Sequence, residues 1–373
     1  MSEGRVDFTE KESRIRGILE KIPEDAKIGI TNDILGKIIV SIIENASKHV
    51  DGIKCFKSWE EAGKKAGENF AKETISRYGI KVEDAPSAMQ IMNIASFFDE
   101  TPYKILKSTR KEVVKQVEGC LLVPSAGKVS ADAESAVLLF VKGYCRGAAN
   151  VMEERFGIKI EEGSIEGKKT CTITLTGPHG NEKEKIMEIP EEIKKMDRAA
   201  RLNEKKKYLA VVIAHLALAL NECLGFENAS GIVKEAVHPI GLEAGKTTKE
   251  KFGLGESAED VYLIHYISPY MMGIKTESVK MDGESIIYTH SVCPFGPIAS
   301  MVIDYMNIID ARKRVDARFI ICEVCKGFAS GLTHAVSKEW ETYSPKRLSA
   351  GDPYCLFLLS RGGGGGEINL SSY

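Results

Sequence analysis

The chain carries almost no net charge: 51 basic and 53 acidic residues leave −2 at neutral pH. No global field therefore recruits nucleic acid or an anionic membrane surface. A basic run such as NEKKKY at 203–208 reads as the wet face of a helix. Long apolar runs are lacking too. The longest, YLAVVIAHLALAL at 208–220, is too short to cross a bilayer and ends in the polar NEC. The opening MSEGRVDFTEKESRIRG is charged and has no apolar core, which argues against a secretory signal. These absences predict a cytoplasmic protein with neither nucleic acid nor membrane as a partner. Nine cysteines, an odd number in a chain read as having no leader, argue against a disulfide framework. The thiols are then small buried side chains or metal ligands.

What is present is a globular composition, 43% apolar and 28% charged, in 373 residues, enough for two domains with their own cores. The chain also matches itself. EGCLLVPSAG (118–127) aligns with SVCPFGPIAS (291–300), setting Cys120 on Cys293. KGYCRGAANVMEERFGIKI (142–160) aligns with CEVCKGFASGLTHAVSKEW (322–340), setting Cys145 on Cys325 and Gly147 on Gly327. KKTCTITL (168–175) aligns with DPYCLFLL (352–359), setting Cys171 on Cys355. Upstream, a G-x-x-x-G pairs Gly63 and Gly67 with Gly241 and Gly245. No strand precedes it and the full glycine-rich loop with its lysine–serine pair is absent, so close helix packing is the better account.

The same order of landmarks in both halves predicts an α/β (α+β) protein of two tandem copies of one helix-plus-antiparallel-sheet domain, related by a pseudo-twofold axis. The matched copies run over 31–190 and 200–361. The expected domains are 1–190, with extra N-terminal helices and a degenerate cysteine site, and 191–361, with a four-cysteine site. The tail 362–373, with its run of glycines, reads as a flexible end.

In the second half, GIKTESVKMDGESIIYTHSVC reads as a hairpin turning at Asp282-Gly283, with Cys293 at its end. Asp316–Ser337 reads as a helix on which Cys322 and Cys325 share a face at i and i+3. A further hairpin returns with Cys355. Four thiolates from three elements can close a tetrahedron, which suits zinc, with an iron–sulfur cluster as the alternative. In the first half Lys142 stands in place of Cys322, leaving Cys120, Cys145 and Cys171 beside an ammonium.

With these residues in this order, each half resembles the 4-vinyl reductase small-molecule-binding domain. In phenol-responsive regulators that carry it, zinc is held by Cys, then Glu-x-x-Cys, then Cys. The resemblance implies Cys293, Cys322 in the glutamate's place, Cys325 and Cys355 as ligands. It further implies an apolar pocket between helices and sheet, and pairing of two copies, here within one chain or through a homodimer. The ending KRLSAGDPYCLFLL is similar to the close of the L-2-amino-thiazoline-4-carboxylate hydrolase family. The chain departs from the regulators in its longer Cys325–Cys355 insertion, in Lys142, and in carrying no DNA-binding or ATPase segment.

Among the other candidates, His290 and His334 are read as polar groups facing the pocket, and the paired Met271 and Met272 as an adaptable pocket wall. His215 and His265 fall on apolar helical faces, where a hydrogen-bonded core histidine is the commoner case. His238 is placed near a helix start, HGNE (179–182) at a hairpin turn, and Glu83-Asp84 and Glu259-Asp260 at helix starts. Two functions follow. One is a zinc-binding protein that senses or carries a small, largely apolar molecule. The other is an enzyme: a hydrolase of a small heterocycle, or an iron–sulfur protein of a cofactor pathway.

Overall fold

A computed structural model of the chain describes residues 10–49, 52–118, 131–151, 156–165, 168–177, 181–274, 276–281, 283–292, 311–348 and 352–362. Cys120, Cys293 and the tail beyond Gly362 lie outside them. The protein is mixed α and β, and its residues fall into two compact units. The first is Asn32–Gly225; the second is Met1–Thr31 with Phe226–Tyr373.

The first unit holds most of α2 (Glu24–His49), then α3 (Gly52–Tyr78), α4 (Ala85–Phe98), β1 (Tyr103–Ser108), β2 (Glu112–Glu118), α5 (Ala131–Asn150), β3 (Gly157–Ile165), β4 (Lys168–Thr176), a short α6 (Glu191–Lys194) and α7 (Arg198–Leu224). The second holds α1 (Glu10–Leu19), the start of α2, α8 (Phe226–Phe252), α9 (Ala258–Met271), β5 (Thr276–Met281), β6 (Ser285–His290), α10 (Ala311–Val336), β7 (Trp340–Lys346) and β8 (Cys355–Arg361). Each has a four-stranded antiparallel sheet, ordered β1-β2-β4-β3 and β5-β6-β8-β7.

These units differ from the domains expected at 1–190 and 191–361. The segment 191–225 belongs with the first unit because α7 packs on α3 and α4. The N-terminal helix belongs with the second: Ile15 and Leu19 are fully buried, Lys11 pairs with Asp260 of α9, and Arg16 Nε donates to Tyr266 Oη at 3.2 Å.

Local signals explain the boundaries. Asp84 caps α4: its Oδ1 accepts the Ser87 N–H at 3.3 Å, and Ser87 Oγ accepts the Asp84 N–H at 3.0 Å. Ser257 and Asp260 form the same reciprocal cap on α9. The apolar run 208–220 lies in α7 and is buried at every position, as a helix apolar on all sides must be. Two helical stretches, Arg198–Leu224 and Val315–Val336, are long and apolar enough to span a bilayer, but 72% of the apolar window of each is enclosed by the protein. One local reading is corrected: His238 lies well inside α8, which continues through Pro239. His179 and Gly180 of HGNE lie outside the described residues.

The glycines mark where helix backbones touch. A Cβ on Gly63 or Gly67 of α3 would lie 2.0 or 2.1 Å from a carbonyl oxygen of α5, and one on Gly143 or Gly147 of α5 would lie 1.9 Å from a carbonyl oxygen of α3. In the second unit Gly241 of α8 and Gly331 of α10 meet the partner helix's carbonyls at 2.2 Å in the same sense. The seams differ in position. Gly63 faces Phe140, five residues before Cys145, whereas Gly241 faces Phe328, three residues after Cys325. The glycine and cysteine landmarks of the two halves therefore do not fall at equal distances along their helices.

Candidate functional site in the second unit

The sheet of the second unit turns one set of side chains toward its helices. His290 of β6 stands opposite Cys355 of β8, and Tyr288 opposite Phe357. Opposed residues share a face, and so do residues two apart on a strand. The Tyr288 and Phe357 rings stack at 5.1 Å and 2°, and the His290 ring packs against both at 5.3 and 5.1 Å. From α9, His265 Nδ1 reaches Tyr288 Oη at 2.8 Å. Its Nε2 reaches Thr333 Oγ1 of α10 at 2.8 Å, and Thr333 reaches Thr342 Oγ1 of β7 at 2.7 Å. His290 Nε2 lies 3.2 Å from Thr276 Oγ1. All six of these polar side chains are buried.

The hydrogens of this array can be assigned by satisfaction. Thr333 donates its one hydroxyl hydrogen to the Ala329 carbonyl at 3.1 Å, so it accepts from His265 Nε2–H and from Thr342. His265 Nδ1 then accepts from the Tyr288 hydroxyl. Thr276 donates to the His265 carbonyl at 3.2 Å, so it accepts from His290 Nε2–H. His290 Nδ1 is left as an acceptor with no hydrogen bond among the described residues. Burial holds the rings neutral, pushing His265 down to about 3, helped by His290, and His290 down to about 4. Burial also raises the Tyr288 phenol well above its usual range, reinforced by Cys355 and Cys325. The array is an uncharged donor–acceptor lattice on an aromatic floor, suited to orienting a ligand and unsuited to moving protons at neutral pH.

Cys355 lies at its edge, opposite His290 on the sheet. Cys322 and Cys325 occupy one turn of α10, the first buried and the second half-buried. Cys355 opens β8, and its Sγ accepts the Leu348 N–H at 3.3 Å. Cys325 and Cys355 both act on Tyr288, so both border the array. Among the described residues no three His, Cys, Asp or Glu side chains group closely enough to hold a metal ion. The three described cysteines do not make a metal centre by themselves, and the fourth expected ligand, Cys293, lies outside those residues.

The other expected site residues are dispersed. His334 Nδ1 lies 2.9 Å from His238 Nε2, on the α8–α10 seam, and its own Nε2 is 3.7 Å from Glu341; its contacts are there and not with His290. Met271 and Met272 close α9, where Met272 is the buried C-cap and the Met271 carbonyl accepts from Thr31 at 3.3 Å. In the first unit the ammonium that acts on Cys145 is that of Lys115, not of Lys142, and burial pushes the Cys145 thiol up to about 12. His215 is a core histidine, 2.9 Å from Asn69 Nδ2.

Sequence reading took His265 as a hydrogen-bonded core histidine and passed over Tyr288 and Thr333. Tyr288 was within reach of pattern alone, since it sits two residues before His290 on the same strand face. Thr333 and His265 are joined only by the fold. Comparison of the chain with protein-family models, with curated proteins and with solved structures finds no match in any of the three.

Proposed function

We propose that the protein binds a small, largely apolar molecule carrying one hydrogen-bond donor, between the helices and the sheet of its second unit, as a sensor or carrier. The observation that carries this is His290 Nδ1, an acceptor with no hydrogen bond among the described residues, set beside the Tyr288–Phe357 stack. A ring of the ligand would lie along the aromatic floor and its O–H or N–H would point at Nδ1. One such polar contact in an apolar pocket is enough to set orientation. The neutral state of His265 and His290 favours this over the hydrolase, as does the protonated state of Cys145.

Zinc on Cys293, Cys322, Cys325 and Cys355, in the protein's cytoplasmic setting, is the second part of the proposal. It is supported by the spacing of the four residues and by Cys325 and Cys355 bordering the same phenol. Zinc would supply a structural tie between α10 and the last hairpin, and no chemical step. The duplication of one domain about a pseudo-twofold axis is likewise proposed. Its support is the common strand order and a bulge after the third residue of both β1 and β5.

Phenol and toluene test the ligand, because they differ by the one donor. Phenol is expected to bind at least tenfold more tightly by calorimetry or ligand-detected NMR, with His290→Phe erasing the difference. Equal or absent binding of the two to the wild-type protein would remove the reading. Elemental analysis is expected to show one zinc per chain, lost in Cys325→Ser; a brown, iron-containing protein would replace zinc by a cluster.

A further inference from the structure

A second polar centre lies inside the first unit, apart from the ligand site proposed above. Lys115 of β2 is wholly buried, although lysine is among the residues least often found so. Its Nζ donates to the Met92 carbonyl at 3.0 Å and to Ser96 Oγ at 2.7 Å, both on α4, and lies 4.3 Å from the centre of the Tyr103 ring. None of these partners is an anion. Asp99, the C-cap of α4, faces Lys205 of α7 at 3.5 Å, while its other oxygen, Oδ2, is buried without a hydrogen-bond partner among the described residues. The Tyr144 hydroxyl of α5 is also buried without one among them. Asp99 and Cys145 act electrostatically on both Lys115 and Tyr144, so the four groups share one interior region.

The position repeats that of the ligand site. Val117 stands opposite Cys171 as His290 stands opposite Cys355. Lys115 therefore holds the place on its sheet that Tyr288 holds on the other. Met92 follows the cap Asp84 by eight residues, as His265 follows the cap Ser257. Where the second unit has a hydroxyl on an imidazole, the first has an amine on a helix carbonyl.

We propose that Lys115 is a nucleophilic amine that condenses with the carbonyl group of a small aldehyde or ketone, with Asp99 as its proton-transfer group and the neutral Tyr144 hydroxyl as a hydrogen-bond donor to the carbonyl oxygen. The uncharged amine adds to the carbonyl carbon, forming a C–N bond as the C=O π bond breaks. The nitrogen gives a proton to the Asp99 carboxylate, which passes it to the carbonyl oxygen and leaves the carbinolamine. Asp99 then takes the second nitrogen proton and gives it to the departing hydroxyl as the C–O bond breaks, so amine and carbonyl become imine and water, and nothing is oxidised or reduced. Burial prepares both partners. It pushes the Lys115 amine down to about 7, so a large share is uncharged at neutral pH, and raises the Asp99 carboxyl to about 6, within reach of proton exchange. The half-buried Tyr103 ring covers Nζ and is the element to displace for a ligand to arrive.

The test is reductive trapping on the full chain: propanal with sodium cyanoborohydride at pH 7, followed by peptide mapping. Reduction of the imine leaves a propyl group on the nitrogen it formed on. Lys115 is expected to be labelled at least tenfold faster than the surface lysines, which are protonated at that pH. Asp99→Asn should slow Lys115 by tenfold or more without changing the others, and Tyr103→Ala should speed it. If Lys115 stays unlabelled in both the wild type and Tyr103→Ala while surface lysines react, it is an inert structural ammonium and the proposal falls. If Asp99→Asn leaves the Lys115 rate unchanged, the proton-transfer role of Asp99 falls with it.

Discussion

Gly147→Ala is expected to lower the stability of the first unit by about 3 kcal/mol or more, at the upper end of what overpacking costs. The new methyl would sit 1.9 Å from the Lys64 carbonyl oxygen and 3.0 Å from the Glu68 nitrogen, backbone atoms that move only if α3 and α5 separate. The seam is reciprocal, with Gly143 against the Glu60 carbonyl and Gly63 and Gly67 against α5, so one methyl opens contacts on both sides. Gly29→Ala and Gly231→Ala are the controls. Both glycines lie inside helices of the second unit with open space where a Cβ would go, and alanine there, read by Trp340 fluorescence in a Trp59→Phe background, should add up to about 1 kcal/mol through helix propensity. The chain's two tryptophans make the measurement direct, because Trp59 is buried in the first unit and Trp340 in the second. Urea unfolding of Trp340→Phe, followed by Trp59 fluorescence, should show the Gly147→Ala midpoint well below its parent. Equal midpoints would mean that α3 and α5 are not in backbone contact.

Those glycines show how far the sequence could be read. The G-x-x-x-G spacing identified close helix packing on α3 and α8, because small residues four apart on a helix have few other reasons to recur. The spacing did not say which helix lay opposite, and the seam's position relative to the cysteines differs between the units. Strand pairing was legible in the second half, where both expected hairpins are present; β2 was not, because Lys115 stands on its buried face and breaks the alternation. The unit boundaries were not legible. The run 208–220 announces a buried helix, but whether α7 packs against what precedes or follows it depends on distant contacts with α3 and α4. The same holds for α1, whose apolar Ile15 and Leu19 carry no sign that their partners lie more than two hundred residues away. In the site, helical and strand spacing placed His290 and His334 on their elements but could not show their partners, Thr276 for His290 and His238 for His334.

The stability of the first unit is expected to climb between pH 7 and pH 10, and Lys115→Met to abolish that climb. Burial lowers the folded amine to about 7, against the ordinary 10.5 of an unfolded chain. Between those values the unfolded state binds more protons than the folded one, so raising the pH favours folding. Below about pH 7 both states are protonated, and the folded state bears the full penalty of a buried ammonium. At ~1.4 kcal/mol per pH unit, three units bring about 4 kcal/mol. Asp99 acts in the opposite direction and in a different window. Its folded carboxyl is raised to about 6 from the ordinary 3.8, so the folded state binds the extra proton and stability falls as pH rises from about 4 to 6, by about 3 kcal/mol. The two contributions together predict a minimum between pH 6 and 7, where most proteins are near their best. Methionine matches the length of lysine without its charge, but leaves Ser96 Oγ and the Met92 carbonyl without a donor. Lys115→Met is thus read from the slope of its stability against pH and not from its value at any one pH. Urea midpoints followed by Trp59 at pH 5, 7, 8.5 and 10 give that slope for both proteins. Parallel curves would show that Met92, Ser96 and the Tyr103 ring hold Lys115 as an ammonium throughout, and that the amine is never free to react.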